Sequence, residues 1–250
     1  MIKTNIRGDK MKIEVWSDFV CPFCYMGKRI LEQALTQFGH QDQIEVVYKS
    51  YELSPNEVSD PNISVVEGLA IKYGVSIEEA KKMNEQVASR AKQYGLNYYV
   101  EGMKQTNTLD AHRLAKLAED KGLSKEMTER LLKAYFIDGL FIGSKEVLTG
   151  LAKEVGLNQA DVIKVLNSDQ YLNEVRLDEQ LAKQIGIRGV PFFIINQKYA
   201  ISGAQPTEVF INTLEKAWNE EQSTINLQHM EPDQDGLCTD DGCAIPHKKD

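Results

Sequence analysis

The chain predicts an α/β fold interrupted by a long helical insertion, and three observations carry that prediction. A β-branched stretch near the start runs through a helical pattern into a second strand by residue 50. From about 61 to 186 the apolar periodicity is helical. Strand character then returns near residue 192 and one more helix follows, so strands on either side of the insertion have to share one sheet.

Each element follows from its own pattern. Residues 12–17, KIEVWS, alternate apolar and polar positions and predict a strand. Leu31, Ala34, Leu35 and Phe38 recur at helical spacing, so Tyr25 to Phe38 is a helix closed by Gly39. IEVVYKS at 44–50 is the second strand, and a strand, helix, strand unit of this length favours a parallel pair. In the insertion, Ser76 with Glu79 forms a capping box, and Asn107 precedes a helix whose apolar face ends at Gly122. Further helices fit 124–139, 144–155, 159–167 and 169–185, with Gly156 and Gly186 as stops. Phe192 to Ile195 and Lys198 to Ile201 flank Asn196-Gln197 as a hairpin. Pro206 and Thr207 open a last helix with Phe210, Thr213, Leu214 and Ala217 on one face. The domain plan is therefore 11–60 and 187–221 for the α/β part, 61–186 for the insertion, and 222–250 for a polar, acidic tail.

Composition excludes several classes. A net charge of −8 disfavours a duplex nucleic-acid partner, which calls for a basic face. No window approaches the roughly 18 apolar residues of a membrane helix. The opening MIKTNIRGDKMK lacks the apolar core of a secretory signal, so the expectation is a soluble, cytoplasmic protein with no membrane partner. The oligomeric state is not legible.

Cysteine usage points to chemistry. Cys21 and Cys24 form a close pair in VCPFC at the handover from first strand to first helix. At a helix start the backbone amides are unpaired and the dipole is positive, which favours a thiolate, and the thiolate is the attacking species. Pro22 suits the first helical turn because its missing donor costs nothing there. One turn on, Cys24 falls within reach as a resolving thiol. A structural pair or half a zinc site has the same spacing, yet no second C-x-x-C completes a ribbon.

Other candidates are weaker. Pro191, with Val190 before it, is either an ordinary start-of-strand proline or a cis bond that turns the Val190 backbone outward to pair with an extended substrate. Cys238 and Cys243 in the tail are a second redox pair, a metal site with His229 and His247, or inert thiols. Asp18 is a proton acceptor for Cys24 or simple strand-end polarity. Asn107 and His112 receive no chemical role, and Asn97 to Val100 and Tyr135-Phe136 either line a substrate surface or, at helical spacing, are core.

SDFVCPFCYMGK, NTLDAHRLAKLAEDKG and VPFFIINQKYAISGAQP together resemble the DsbA family of thioredoxin-fold oxidoreductases, in particular its cytoplasmic FrnE-like branch. Relatives include 2-hydroxychromene-2-carboxylate isomerases and kappa-class glutathione transferases. The resemblance spans roughly residues 11 to 220. It implies a thioredoxin-like fold with an inserted all-helical domain, Cys21 as nucleophile, Cys24 as resolving thiol and Pro191 as the cis-proline. It also implies disulfide-containing protein substrates, a thiol reductant such as glutathione or thioredoxin, and no bound cofactor or metal. Some FrnE-like proteins carry a C-terminal extension with a pair like Cys238 and Cys243. The family's namesake has a histidine where this chain has Phe23, so the couple is expected to be less oxidising, about −180 to −270 mV. A glutathione-dependent isomerase and a redox-independent holdase are the alternatives, and the presence of both Cys21 and Cys24 argues against the first.

Overall fold

Strand β1 (Met11–Ser17) buries Met11, Ile13, Val15 and Trp16 and so occupies the middle of a sheet. The computed structural model describes residues 10–223 together with 238–239 and 242–243. Helix α1 (Pro22–Phe38) starts three residues earlier than the apolar spacing indicates, because Pro22 takes the first helical position and brings Cys24 inside the first turn. It ends where Gly39, at φ +81°, adopts the left-handed conformation that closes helices. Strand β2 (Ile44–Ser50) returns parallel to β1, with Met11 opposite Ile44 and Ser17 opposite Ser50.

The insertion opens with β3 (Asp60–Ser64), α2 (Val65–Tyr73) and α3 (Ile77–Lys92). Both helices start on complete capping boxes, Ser64 with Glu67 and Ser76 with Glu79. β4 (Lys104–Gln105) pairs antiparallel with β3, so the inserted segment is helical apart from this short two-stranded sheet. Two residues are too few to leave a periodic signal. Then come α4 (Leu109–Asp120), α5 (Ser124–Phe136), α6 (Lys145–Val155), α7 (Gln159–Leu166) and α8 (Leu172–Gln184). α8 begins later than residue 169 because Tyr171 sits at φ +66° immediately before it.

The chain then rejoins the first sheet through β5 (Phe192–Ile195) and β6 (Tyr199–Ser202), which pair antiparallel around Asn196 and Gln197, both at positive φ. The sheet order is β2-β1-β5-β6, with β5 antiparallel to β1. α9 (Thr207–Ser223) packs beside α1 on one face, where Phe193 meets Phe210 edge to face. Trp16, Phe192 and Ile194 face the other way and cover Ala182 of α8, and the Trp16 indole donates to the Asp178 carbonyl at 3.0 Å. The Asp178 carboxylate accepts from the Ser50 amide at 2.9 Å and pairs with Lys116 at 2.7 Å, so α8 holds β2 and α4 at one point. This is a mixed α/β thioredoxin-like fold in which a largely helical stretch, from β3 to α8, is inserted between sheet strands β2 and β5. Among the described residues, no helix is long and apolar enough to cross a membrane.

Candidate active site

Cys21 and Cys24 lie where β1 gives way to α1. Cys21 is the N-cap, with extended backbone at φ −88° and ψ 111°, and its sulfur accepts no capping hydrogen bond from the helix amides. The Cys24 amide instead bonds the Cys21 carbonyl at 3.0 Å. Both side chains are free thiols. Exposure does not separate them, since Cys21 is 3% and Cys24 2% accessible. What separates them is direction. Cys21 lines a cavity of about 410 Å³ between the sheet and the insertion, and Cys24 does not.

Cys24 lies beneath, where burial pushes its thiol well above the ordinary range and the hydrogen bond and charge of Cys21 push it further. The Asp18 amide, 3.4 Å from the Cys24 sulfur, and the Ser17 side chain act in the opposite direction. What residue 18 offers Cys24 directly is therefore its main chain. The Asp18 carboxylate is engaged elsewhere: one oxygen accepts from the Leu53 amide at 2.8 Å, and the other lies 3.3 Å from His112 Nε2. His112 is buried against Phe19, with ring centroids 4.7 Å apart. This contact, 94 residues long in sequence, is one that helical periodicity alone does not reveal.

Opposite the pair, the Val190–Pro191 peptide is cis, and the Cys21 thiol donates to the Val190 carbonyl at 3.5 Å. Gly27 of α1 makes this approach possible. A Cβ there would lie 2.9 Å from Pro191 Cγ and 3.1 Å from Phe193, so a side chain would push the proline loop off the helix.

The insertion supplies the rest of the site. Tyr98 donates to the Pro22 carbonyl at 2.7 Å and stacks on Phe136. It lies beyond the end of α3 in non-helical chain, half-buried and part of the cavity wall, so of the two readings of Asn97 to Val100 the surface-lining one fits Tyr98 and the core one does not. Tyr135 and Phe136 are buried and border the same space. Arg90 of α3 stands 5.7 Å over the Phe23 ring and donates to the Ala204 carbonyl, bringing a cation to the motif that nothing near Phe23 in sequence announces. α2 and α3 form the outer wall. Their buried residues are all alanines, Ala70, Ala80, Ala88 and Ala91, while Leu69, Met83 and Val87 face the cavity.

α1 is fixed to α5 by charge. Lys28, itself buried, pairs with Glu129 and Glu32, each at 2.6 Å, and Arg29 pairs with the same two carboxylates. Burial works against the Glu129 charge, but Arg29 and Lys28 overcome it and hold the carboxyl at about 2. Among the described residues, no group of three or more His, Cys, Asp or Glu is placed to hold a metal ion. In the tail, β7 (Cys238–Thr239) and β8 (Gly242–Cys243) pair antiparallel with Cys238 opposite Cys243. Their side chains, with His229 and His247, lie outside the described residues.

A C-x-x-C pair starting a helix and facing a cis-proline across this sheet defines a thioredoxin-fold protein of the thiol–disulfide type. The model of the DSBA-like thioredoxin domain matches residues 12–215, and the chain belongs to that family. The crystal structure of a probable DsbA oxidoreductase from Streptomyces coelicolor is 37% identical with a TM-score of 0.79, over 95% of this chain and 100% of that one. The uncharacterized protein YwbO of Bacillus subtilis (strain 168) is 29% identical over 222 residues, 84% of this chain and 96% of that protein. A 2-hydroxychromene-2-carboxylate isomerase, 11% identical with a TM-score of 0.62 over 86% and 99% of the two chains, shares the fold alone. The chain is a DsbA-like thiol–disulfide oxidoreductase.

Proposed function

We propose that the protein reduces and isomerises disulfides through a Cys21 mixed disulfide, as a member of the FrnE-like branch of its family. The observation that carries this reading is the division of labour in the pair: Cys21 borders the cavity, while Cys24 lies below it as a thiol that burial keeps protonated. The Cys21 thiolate attacks a disulfide R–S–S–R′, forming Cys21–S–S–R and releasing R′–S⁻, which takes up a proton. Cys24 then gives up its proton and attacks the Cys21 sulfur, releasing R–S⁻ and leaving a Cys21–Cys24 disulfide. The substrate gains two electrons, and a thiol reductant such as glutathione or thioredoxin returns the pair to the dithiol. In a reducing cytoplasm that cycle runs toward reduction and isomerisation.

Protein disulfides presented on extended segments fit this scheme, with the Val190 backbone beside Cys21 as the pairing edge. The register of Cys238 opposite Cys243 favours reading the tail cysteines as a second exchange pair. The test is trapping. The Cys24→Ser protein should accumulate mixed disulfides at Cys21, and Cys21→Ser should accumulate none at Cys24. Failure of Cys24→Ser to form any mixed disulfide, including one with glutathione, overturns the reading; continued catalytic turnover of a substrate with glutathione in Cys24→Ser would favour the isomerase alternative.

A further inference from the structure

The cavity over Cys21 differs from an open peptide groove in three respects. Its volume, about 410 Å³, suits a small organic molecule. Cys21 is 3% accessible, so a disulfide on a small molecule or an extended segment reaches its sulfur more readily than one held on a folded surface. Its walls are mainly apolar, with Leu69, Met83 and Val87 on one side, Tyr98 and Phe136 stacked at 4.6 Å on another and Val190 beside the thiol, and the polar side chains include Asn84, Gln105 and Thr106.

The charged residues lining it are Lys72 and Glu57, one cation and one anion, and each already holds a neutral neighbour. Lys72 Nζ donates to Ser54 Oγ at 3.1 Å, and Glu57 accepts from Gln105 Nε2 at 2.6 Å. Glutathione would bring two carboxylates and an ammonium into this space, against one lysine and one glutamate, so at least one carboxylate would find no cation. Burying charges without partners carries a cost that an apolar wall does not return. A phenyl or alkyl group carries no such cost, and it gains from leaving water.

We infer that the cavity is a binding site for low-molecular-weight thiols with an apolar, aromatic-sized substituent, and that Cys21 exchanges with their disulfides in preference to glutathione disulfide. This rests on the thiol–disulfide reading of Cys21 and Cys24 and names a substrate class for it. The bond made is Cys21–S–S–R with the substituent seated against Tyr98 and Phe136. The bond broken is the substrate S–S, and Cys24 resolves the mixed disulfide with release of R–S⁻. In reverse, two equivalents of the same thiol reduce the Cys21–Cys24 disulfide and are themselves oxidised to R–S–S–R.

The reverse direction supplies the test. The full-length oxidised protein is reduced by 2-phenylethanethiol, by 2-mercaptoethanol and by glutathione, and the peptide carrying Cys21 and Cys24 is followed by alkylation and mass spectrometry. Each rate is divided by the same thiol's rate with bis(2-hydroxyethyl) disulfide in solution, which removes intrinsic nucleophilicity. The phenylethyl compound should be favoured over glutathione by about tenfold or more, the scale on which apolar pockets discriminate. Met83→Lys, at a position 40% exposed and tolerant of the change, should cut that advantage by about threefold or more. Normalised rates equal within about twofold, or an advantage untouched by Met83→Lys, overturn the inference while leaving the thiol–disulfide reading intact. If none of the three thiols reduces the pair, the underlying reading fails and takes the inference with it.

Discussion

Glu129→Gln removes the carboxylate through which α5 grips the helix that carries Cys21. A carboxyl moved from its ordinary value near 4.5 to about 2 corresponds to about 3 kcal/mol at full weight. Glu129 is 31% exposed, and Lys28 and Arg29 retain Glu32 when it is neutralised, so solvent screening reduces the expected loss to about 1 to 2 kcal/mol. The folded-state value is depressed, so the stabilisation is complete above pH 4.5 and fades as pH falls toward 2. Urea unfolding at a series of pH values from 7 to 3 measures it. At pH 7 the variant midpoint should fall by about 0.3 to 0.7 M for a slope near 3 kcal/mol per molar. The gap between the two proteins should narrow steadily below pH 4.5. A gap that stays constant over that range would show that shape, and not the charge of Glu129, holds α1 to α5.

Three further outcomes are expected. Gly27→Ala gains about 1 kcal/mol of helix propensity and loses about 1 to 3 kcal/mol to crowding by Pro191, so it should be neutral to modestly destabilised and slower in exchange at Cys21; a more stable protein with unchanged exchange would contradict the close approach. Asp18→Asn should lower stability by about 1 to 3 kcal/mol through the disturbed Leu53 and His112 contacts while leaving the pH profile of resolution by Cys24 in place; loss of that profile would make the carboxylate the proton acceptor. Iodoacetamide labelling of the reduced protein, read by peptide mapping, should modify Cys21 first, and Cys24 only above the ordinary thiol range; in Cys21→Ser the Cys24 threshold should move down, because its neighbour's contribution is gone. Labelling of Cys24 ahead of Cys21 would refute the assignment of depth.

The sheet was legible because its strands carry strong local patterns: β1 alternates, β2 is β-branched, and Asn196-Gln197 interrupts two apolar runs where β5 meets β6. The helix carrying the cysteines was legible from Leu31, Ala34, Leu35 and Phe38, though its true start needed Pro22 to be read as a first-turn residue. Contacts made through folding left no local trace. Arg90 reaches Phe23, His112 reaches Asp18, and Tyr98 reaches Pro22 across separations that no period connects. β3 and β4 were missed because one contains a proline and the other is two residues long. The gap at Gly27 was equally silent, since a glycine inside a helix announces a close neighbour only once that neighbour is known.

The outer wall formed by α2 and α3 is seated on alanines, and Leu69, Met83 and Val87 turn toward the lumen while Ile71 and Ile77 face solvent. Part of the cavity wall, Leu69, Met83 and Val87, therefore lies on a different stretch of polypeptide from Cys21, Cys24 and the cis-proline. A library confined to Leu69, Met83 and Val87 would retune which molecules enter while sparing the couple itself, and natural divergence along that segment has the same freedom.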